Sequence, residues 1–405
     1  MLSERYWGSF LVLAAVCFVL QMYSRDVSTK TQATAVNAKF SAFQKSYLFV
    51  FLLAMFADWL QGPYVYELYV SYGFSQSEIA ELFVMGFGSS MIFGTFIGGL
   101  ADKYGRKKMC VCYAFLYTMG CLTKMFPNYY VLLFGRFLCG ICTSLLFSVF
   151  ESWMVCEHFK QGFDAQLLGE TFSYATLGNG VVAVVAGLVA NAAATSFGFI
   201  APFLMACVPL VVIALAITAS WPENYGNQQS SSTSSLSKGF DLIRSDPRIA
   251  ALGLAQSCFE GAMYTFVFMW TPALKSPEES ASEAAGEELF ESTSQFLGVI
   301  FAAFMVAVMV GSSVFKIAGK SKEVIYAIPL YLHATACGAC ACISLFMDNK
   351  MVVYCMFLAF ELTVGLFYPS YGMIKSEKIP EDIRSAVMNI FRMPLNLFVV
   401  VLLLK

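Results

Sequence analysis

Long apolar runs alternate with short polar connections along the whole chain. Runs near 20 residues, the length a helix needs to cross the hydrocarbon of a bilayer, fall at 6–23, 46–69, 79–101, 109–126, 129–156, 166–190, 197–220, 248–270, 295–315, 324–346, 350–372 and 385–404. The first run has no basic start and no clean small-residue cleavage site behind it, so it reads as a retained helix. Two connections are longer than the rest. Segment 221–247 contains SSSTSSLSK and predicts a mobile cytoplasmic linker that divides the chain. Segment 271–293 carries Glu278, Glu279, Glu283, Glu287, Glu288 and Glu291 and predicts a solvated acidic outer loop. The predicted plan is a leading helix and linker over 1–45, a six-helix bundle over 46–220, the linker, and a second bundle over 248–405 with five helices. Two matching bundles require one more helix after Lys405, so a final span is expected to be missing; the alternative is 12 spans in unmatched halves. The fold class is an all-α polytopic membrane protein.

Composition narrows the possibilities. Of 405 residues, 58% are hydrophobic and 13% charged, the latter about half the soluble share. Mean hydropathy is +0.67. That excludes a soluble domain, a disordered chain and a disulfide-stapled secreted fold. A net charge of -2 argues against nucleic acid, whose phosphates need a basic face. With segment 24–45 in the cytoplasm and one crossing per run, 18 Lys and Arg fall inside and 5 outside. The positive-inside bias therefore predicts an extracellular N-terminus.

The 13 Cys lie in or beside apolar runs. The only tight group, Cys337, Cys340 and Cys342, follows His333 by one turn. Zinc would need a closed four-ligand set, so these residues read as small helix-packing side chains. No metal or cofactor is expected. Neither HExxH nor GxSxG occurs, which argues against an enzyme.

The loop after the third run reads GGLADKYGRKK, from Gly98 to Lys108. Its glycines permit a tight turn and close helix contact, while Asp102, Arg106 and Lys107 can latch neighbouring helix ends. Here the sequence resembles the major facilitator superfamily, with Gly98, Asp102, Gly105, Arg106 and Lys107 in the signature positions. GRFLCG (135–140) is a second family-like element. The corresponding second-half loop, GSSVFKIAGK, keeps Gly311, Gly319 and Lys320 but lacks the acid. The strings ADWLQGPYVYELY (57–69), LLFSVFESW (145–153), FVFMWTP (266–272), LTVGLFYPS (362–370) and NIFRMP (389–394) resemble the domain-containing protein 5 branch, as does the extra leading helix. That branch is described as molybdate-anion transporters. The resemblance implies two pseudo-symmetric bundles and import of molybdate across the plasma membrane, by a monomer in contact with membrane lipid.

Charges inside apolar runs are functional candidates, because lipid makes them costly. Asp58 falls near mid-membrane, Glu260 at the repeat-related place in the first helix of the second half, and Glu361 in the middle of 350–372. As cavity carboxylates they can carry protons. Arg136 and Arg392 can bracket a tetrahedral anion through their forked guanidinium donors; pairing with carboxylates on adjacent helices is the alternative. Tyr64, Asn179 and Tyr368 are further candidates for substrate binding, beside Trp59, Gln61, Tyr66 and Trp270. Pro63, Pro272 and Pro369 are expected to interrupt their helices. Glu151 and Glu157 belong with the gate near Arg106, and His158 reads as a wet loop-edge histidine. A transporter of sulfate or another anion, and a membrane nutrient sensor that does not transport, are the competing functions.

Overall fold

The computed structural model describes residues 2–28, 38–226, 232–276, 279, 292–319, 321–380, 387–388, 390–391, 394–395, 398–399 and 401. Their regular structure is helix, with no strand among them. This is what a lipid-embedded backbone requires, since a helix satisfies its amides and carbonyls within one segment. Nine stretches among the described residues are long and apolar enough to cross a membrane.

The chain divides into two compact units, Ala33–Ser230 and a second unit made of Met1–Gln32 with Ser231–Leu403. The first unit contains α2 (Ala38–Trp59), α3 (Val65–Ser71), α4 (Gln76–Tyr104), α5 (Arg106–Thr123), α6 (Tyr129–Leu146), α7 (Val149–Lys160), α8 (Ala165–Phe197) and α9 (Ala201–Ser220). The second contains α1 (Leu2–Ser28), α10 (Ser232–Ser245), α11 (Pro247–Leu274), α12 (Leu297–Ala318), α13 (Lys322–Leu345) and α14 (Lys350–Lys378). Helix starts coincide with side-chain caps. Ser75 and Glu78 close a reciprocal capping box at α4, and Asn128, Asp246, Ser321 and Asn349 accept backbone amides at α6, α11, α13 and α14. Helices α5 and α11 are less apolar than the nine because one opens on Arg106–Lys108 and the other carries Gln256, Ser257 and Glu260.

Both units are built on a close helix crossing at glycine. A Cβ on Gly140 of α6 would lie 2.3 Å from the Gly86 carbonyl of α4. In the second unit, a Cβ on Gly311 of α12 would lie 2.1 Å from the Leu362 carbonyl, and one on Gly365 of α14 2.0 Å from Val308 O. The glycines are equally spaced in sequence in the two units, so the repeat persists in packing where the loop signature has decayed. Serines tie each crossing, Ser144 Oγ to Ser90 O at 2.7 Å and Ser312 Oγ to Gly365 O at 3.1 Å.

The leading helix is not an isolated element. It packs along α12, with Gln21 donating to Ser313 at 2.9 Å, Ser9 bonded to Tyr354 at 2.8 Å, and Tyr6 set edge-on to the Tyr354 ring. The first bundle begins at Ala38, eight residues before the expected start. The expected linker also differs from its reading as mobile. Residues 221–226 pack onto the first unit, and Ser232–Ser245 form helix α10. Leu242 and Ile243 of α10 bury against Ile249, Ile379, Val387 and Phe391, which explains how a serine-rich start leads into structure. Among the acidic-loop residues, Glu279 is buried and accepts from the Ser276 and Thr293 amides. The other five glutamates lie outside the described residues.

Candidate functional site

The span containing Asp58 is a broken helix. Helix α2 ends at Trp59, a single 3-10 turn covers Gly62–Tyr64, and α3 resumes at Val65. Gly62 and Pro63 account for the break, one by freeing the backbone and the other by removing a donor. Gln61 limits the cost by donating its side chain to the Ala57 carbonyl at 3.3 Å. Pro272 and Pro369, by contrast, lie inside helices that continue through them.

Asp58 therefore sits at the end of a helical segment inside the bundle. It accepts a short hydrogen bond from the Tyr117 hydroxyl of α5 and feels the charge of Arg136 on α6. Arg136 occupies a notch in α4. Its Nε donates to Leu82 O at 3.2 Å, and its Cζ lies 4.9 Å from the centre of the Phe83 ring. A Cβ on Gly86 would lie 2.7 Å from Nη2, so a glycine is needed for the guanidinium to fit. The two terminal nitrogens make no hydrogen bond or ion pair with a described residue. A forked donor is thus anchored at its root, with its tip unbonded to any described residue, which suits an oxyanion. One helix away, Trp59 Nε1 donates to Asn179 Oδ1 at 2.8 Å, and the Tyr64 hydroxyl to Asn191 Oδ1 at 3.0 Å.

At the start of α5, 11 residues before Tyr117 and so about 16 Å away at 1.5 Å per residue, the glycine-rich signature loop forms a tight charged knot. Gly105 has φ +107°, where side chains are strained. A Cβ there would also strike the Glu223 carboxylate at 2.6 Å. Arg106 binds Asp102 through Nε at 2.9 Å and Nη2 at 2.7 Å, and donates from Nη1 to Ser152 O at 3.1 Å. Glu223 accepts the Lys107 and Lys108 amides at 2.8 and 3.2 Å, placing a carboxylate on the N-terminus of α5. Trp221 stacks on Trp153 at 3.6 Å and 7°, fixing the segment. Glu151 lines an open cleft of about 640 Å³ here, with Arg106, Ser152, Val155, Cys156, Tyr225 and Gly226.

Comparison with known proteins assigns the family. A family described as sugar transporters with 12 TM matches residues 5–368. The molybdate-anion transporter of Takifugu rubripes is 36% identical over 95% of this chain and 84% of its own length. Those of Xenopus tropicalis and Danio rerio are 35% and 33% identical, covering 95% and 96% of this chain and 84% and 85% of theirs. The chain belongs to the molybdate-anion transporter family of the major facilitator superfamily. Its fold is that of solved transporters at low sequence identity. The nucleoside transporter NupG matches with TM-score 0.65 and 12% identity over 89% of this chain and 88% of its own, and a D-xylose-proton symporter with 0.64 and 13% over 91% and 89%. It is a multi-pass membrane transporter and not an enzyme.

The transporter places the remaining candidates as follows. Glu260 accepts from Gln256 at 3.0 Å, and Gln256 in turn from Lys375 at 3.3 Å, a polar chain between α11 and α14. Glu361 is 5% exposed and makes no hydrogen bond to a described residue. Tyr64 is buried in the first unit, whereas Tyr368 is 53% exposed, with its hydroxyl 3.5 Å from the Met263 sulfur. Arg392 lies outside the described residues. His158 is not at a wet edge: it is fully buried among Phe40, Phe43, Phe159 and Phe163, with Nε2 2.9 Å from Asp164 O. The chain turns back over it at Asp164, which a linear reading of the helix end does not reveal. Cys337 and Cys340 are exposed rather than packed, while His333 bonds the Pro329 and Ala255 carbonyls at 2.7 and 3.3 Å. Sequence reasoning missed Glu223, Gly86 and Lys124. Only the PEN string directly after an apolar run offered a signal for Glu223.

Proposed function

We propose that this transporter carries molybdate into the cell across the plasma membrane by alternating access, with a proton entering alongside the anion and the N-terminus facing outward. Arg136 carries the reading within the molecule: a guanidinium fixed at Nε, with neither terminal nitrogen bonded to a described residue, acting on the Asp58 carboxyl. The curated relatives, one third identical along most of their length, support molybdate as the substrate. An anion bound at Arg136 offsets its positive charge at Asp58, and the loss of a neighbouring cation favours the protonated carboxyl. Anion and proton then enter together. Asn179 and Tyr64 position the broken helix beside this pair. In the second unit, Glu260, Glu361 and Tyr368 are the corresponding polar groups.

The test is molybdate counterflow with the reconstituted full-length protein, with sulfate as competitor. Selective counterflow is expected. Molybdate binding without counterflow makes the protein a sensor, and neither binding nor counterflow in folded protein removes molybdate as substrate. Asp58→Asn separates the proton from the anion. Exchange needs no net proton, so counterflow stays within about threefold of wild type while accumulation driven by a pH gradient falls at least about tenfold. Retained gradient-driven accumulation refutes the coupling.

The knot of Asp102, Gly105, Arg106, Lys107 and Glu223, with Glu151 beside it, acts as the cytoplasmic latch. Asp102→Asn and Glu223→Gln each weaken a charge-assisted contact by about 1–2 kcal/mol. The expected result is altered alkylation of single reporter cysteines from the two membrane faces, with molybdate affinity changed less than about threefold. Unaltered accessibility in both variants defeats the assignment.

A further inference from the structure

At the end of the first unit opposite the latch, two buried groups remain outside this mechanism. Lys124 is 2% exposed at the end of α5, and Tyr69 of α3 is fully buried. The Lys124 ammonium donates to Gly120 O at 3.1 Å. It lies 3.6 Å from Cys139 Sγ and 5.2 Å from the centre of the Phe203 ring. It makes no ion pair with a described residue, and none of the titratable groups near it, the thiols of Cys139 and Cys121, the Tyr69 phenol and Arg136, is a carboxylate. An ammonium has three donors; one carbonyl and one thiol leave the third without an acceptor among the described residues.

The Tyr69 hydroxyl has no hydrogen-bond partner among the described residues, yet it lies in the field of both Arg136 and Lys124. A buried cation, a half-buried one and an orphaned hydroxyl therefore neighbour one another. Unpaired buried charge and unmet buried donors are both strongly unfavourable, and a native protein that keeps them together needs a reason. A ligand bearing several acceptor oxygens and negative charge would satisfy all three groups at once.

We infer that Lys124 and Tyr69 form, with the terminal nitrogens of Arg136, a subsite for a tetrahedral oxyanion inside the first unit. The inference rests on the oxyanion reading of the substrate and adds two residues to it. The phenol supplies one neutral donor, the ammonium a point charge, and the guanidinium a forked pair. Together they approach a tetrahedral anion from different residues on α3, α5 and α6.

The experiment measures the thermal midpoint of purified full-length protein against molybdate, sulfate and phosphate at constant ionic strength. Wild type, Lys124→Gln, Lys124→Arg and Tyr69→Phe are compared. Tyr69→Phe removes one oxygen that has no partner, so the ligand-free midpoint stays unchanged or rises while half-saturation by molybdate moves up about tenfold. Lys124→Gln raises half-saturation by more than about tenfold, and Lys124→Arg recovers part of the loss. Wild-type affinity in both Tyr69→Phe and Lys124→Gln overturns the subsite, as does a wild-type protein that responds to no oxyanion. If Lys124→Gln fails to fold, Tyr69→Phe decides alone, because a packing role leaves affinity unmoved. Lys124-dependent sulfate binding without molybdate binding keeps the subsite and removes molybdate. Molybdate counterflow with unchanged affinity in the variants does the reverse.

Discussion

Arg136→Gln lowers molybdate counterflow by about 100-fold or more in reconstituted protein that remains folded. The guanidinium is anchored by Leu82 O and the Phe83 ring and admitted by Gly86, while its terminal nitrogens bond no described residue. Glutamine keeps a polar group but removes the charge and the fork. Truncating one member of a buried, hydrogen-bonded charge pair costs about 2–5 kcal/mol, and each 1.4 kcal/mol is about a factor of ten. Arg136→Lys restores charge without bidentate geometry, so an intermediate loss is expected. The crossing of α4 and α6 rests on Gly86, Gly140 and the Ser90–Ser144 contacts, so the thermal midpoint should shift little. Counterflow within about threefold of wild type in Arg136→Gln removes this residue from the site.

Gly365→Leu abolishes folded, monodisperse protein. The added Cβ alone would stand 2.0 Å from Val308 O and 2.9 Å from Ser312 N, both backbone atoms of α12. A flexible neighbour can yield, but a helix backbone moves only by separating α12 from α14. That separation would break the Ser312–Gly365 bond and strip contact from the neighbouring Gly311. Overpacking costs about 1–3 kcal/mol in ordinary cores and more where nothing can relax, so Gly365→Ala is expected to cost about 3 kcal/mol. Gly338 and Gly372 are the controls. Neither would meet another atom within 4 Å, and alanine there gains helix propensity of up to about 1 kcal/mol. Size-exclusion profiles and thermal midpoints separate the two classes. A normal profile for Gly365→Leu refutes the crossing.

Legibility followed the range of the physics. Spans and the signature loop were readable because hydropathy and a local motif depend on neighbouring residues, needing no partner from elsewhere in the chain. Asp58 and Arg136 were visible as candidates for a similar reason: any charge within an apolar run stands out, whatever lies opposite. Their relationship was not visible, since Tyr117, Leu82, Phe83 and Gly86 come from other helices. The reading of 221–226 as linker shows the same limit. Its polar residues suggest solvent, but Trp221 stacks on Trp153 and Glu223 closes the start of α5. Both contacts join residues far apart in sequence.

The amino-acid order by itself determined a polytopic helical protein, its membrane-crossing runs, its charged loop and the identity of its intramembrane charges. Each follows from the cost of placing particular groups in hydrocarbon. Only the tertiary structure decided that the leading helix packs with the second unit, that α2 breaks beside Asp58, and that Lys124 folds inward to Gly120 and Cys139 rather than outward to water. A lysine at a helix end can take either course at similar local cost, and the choice is made by the side chains that other helices bring against it.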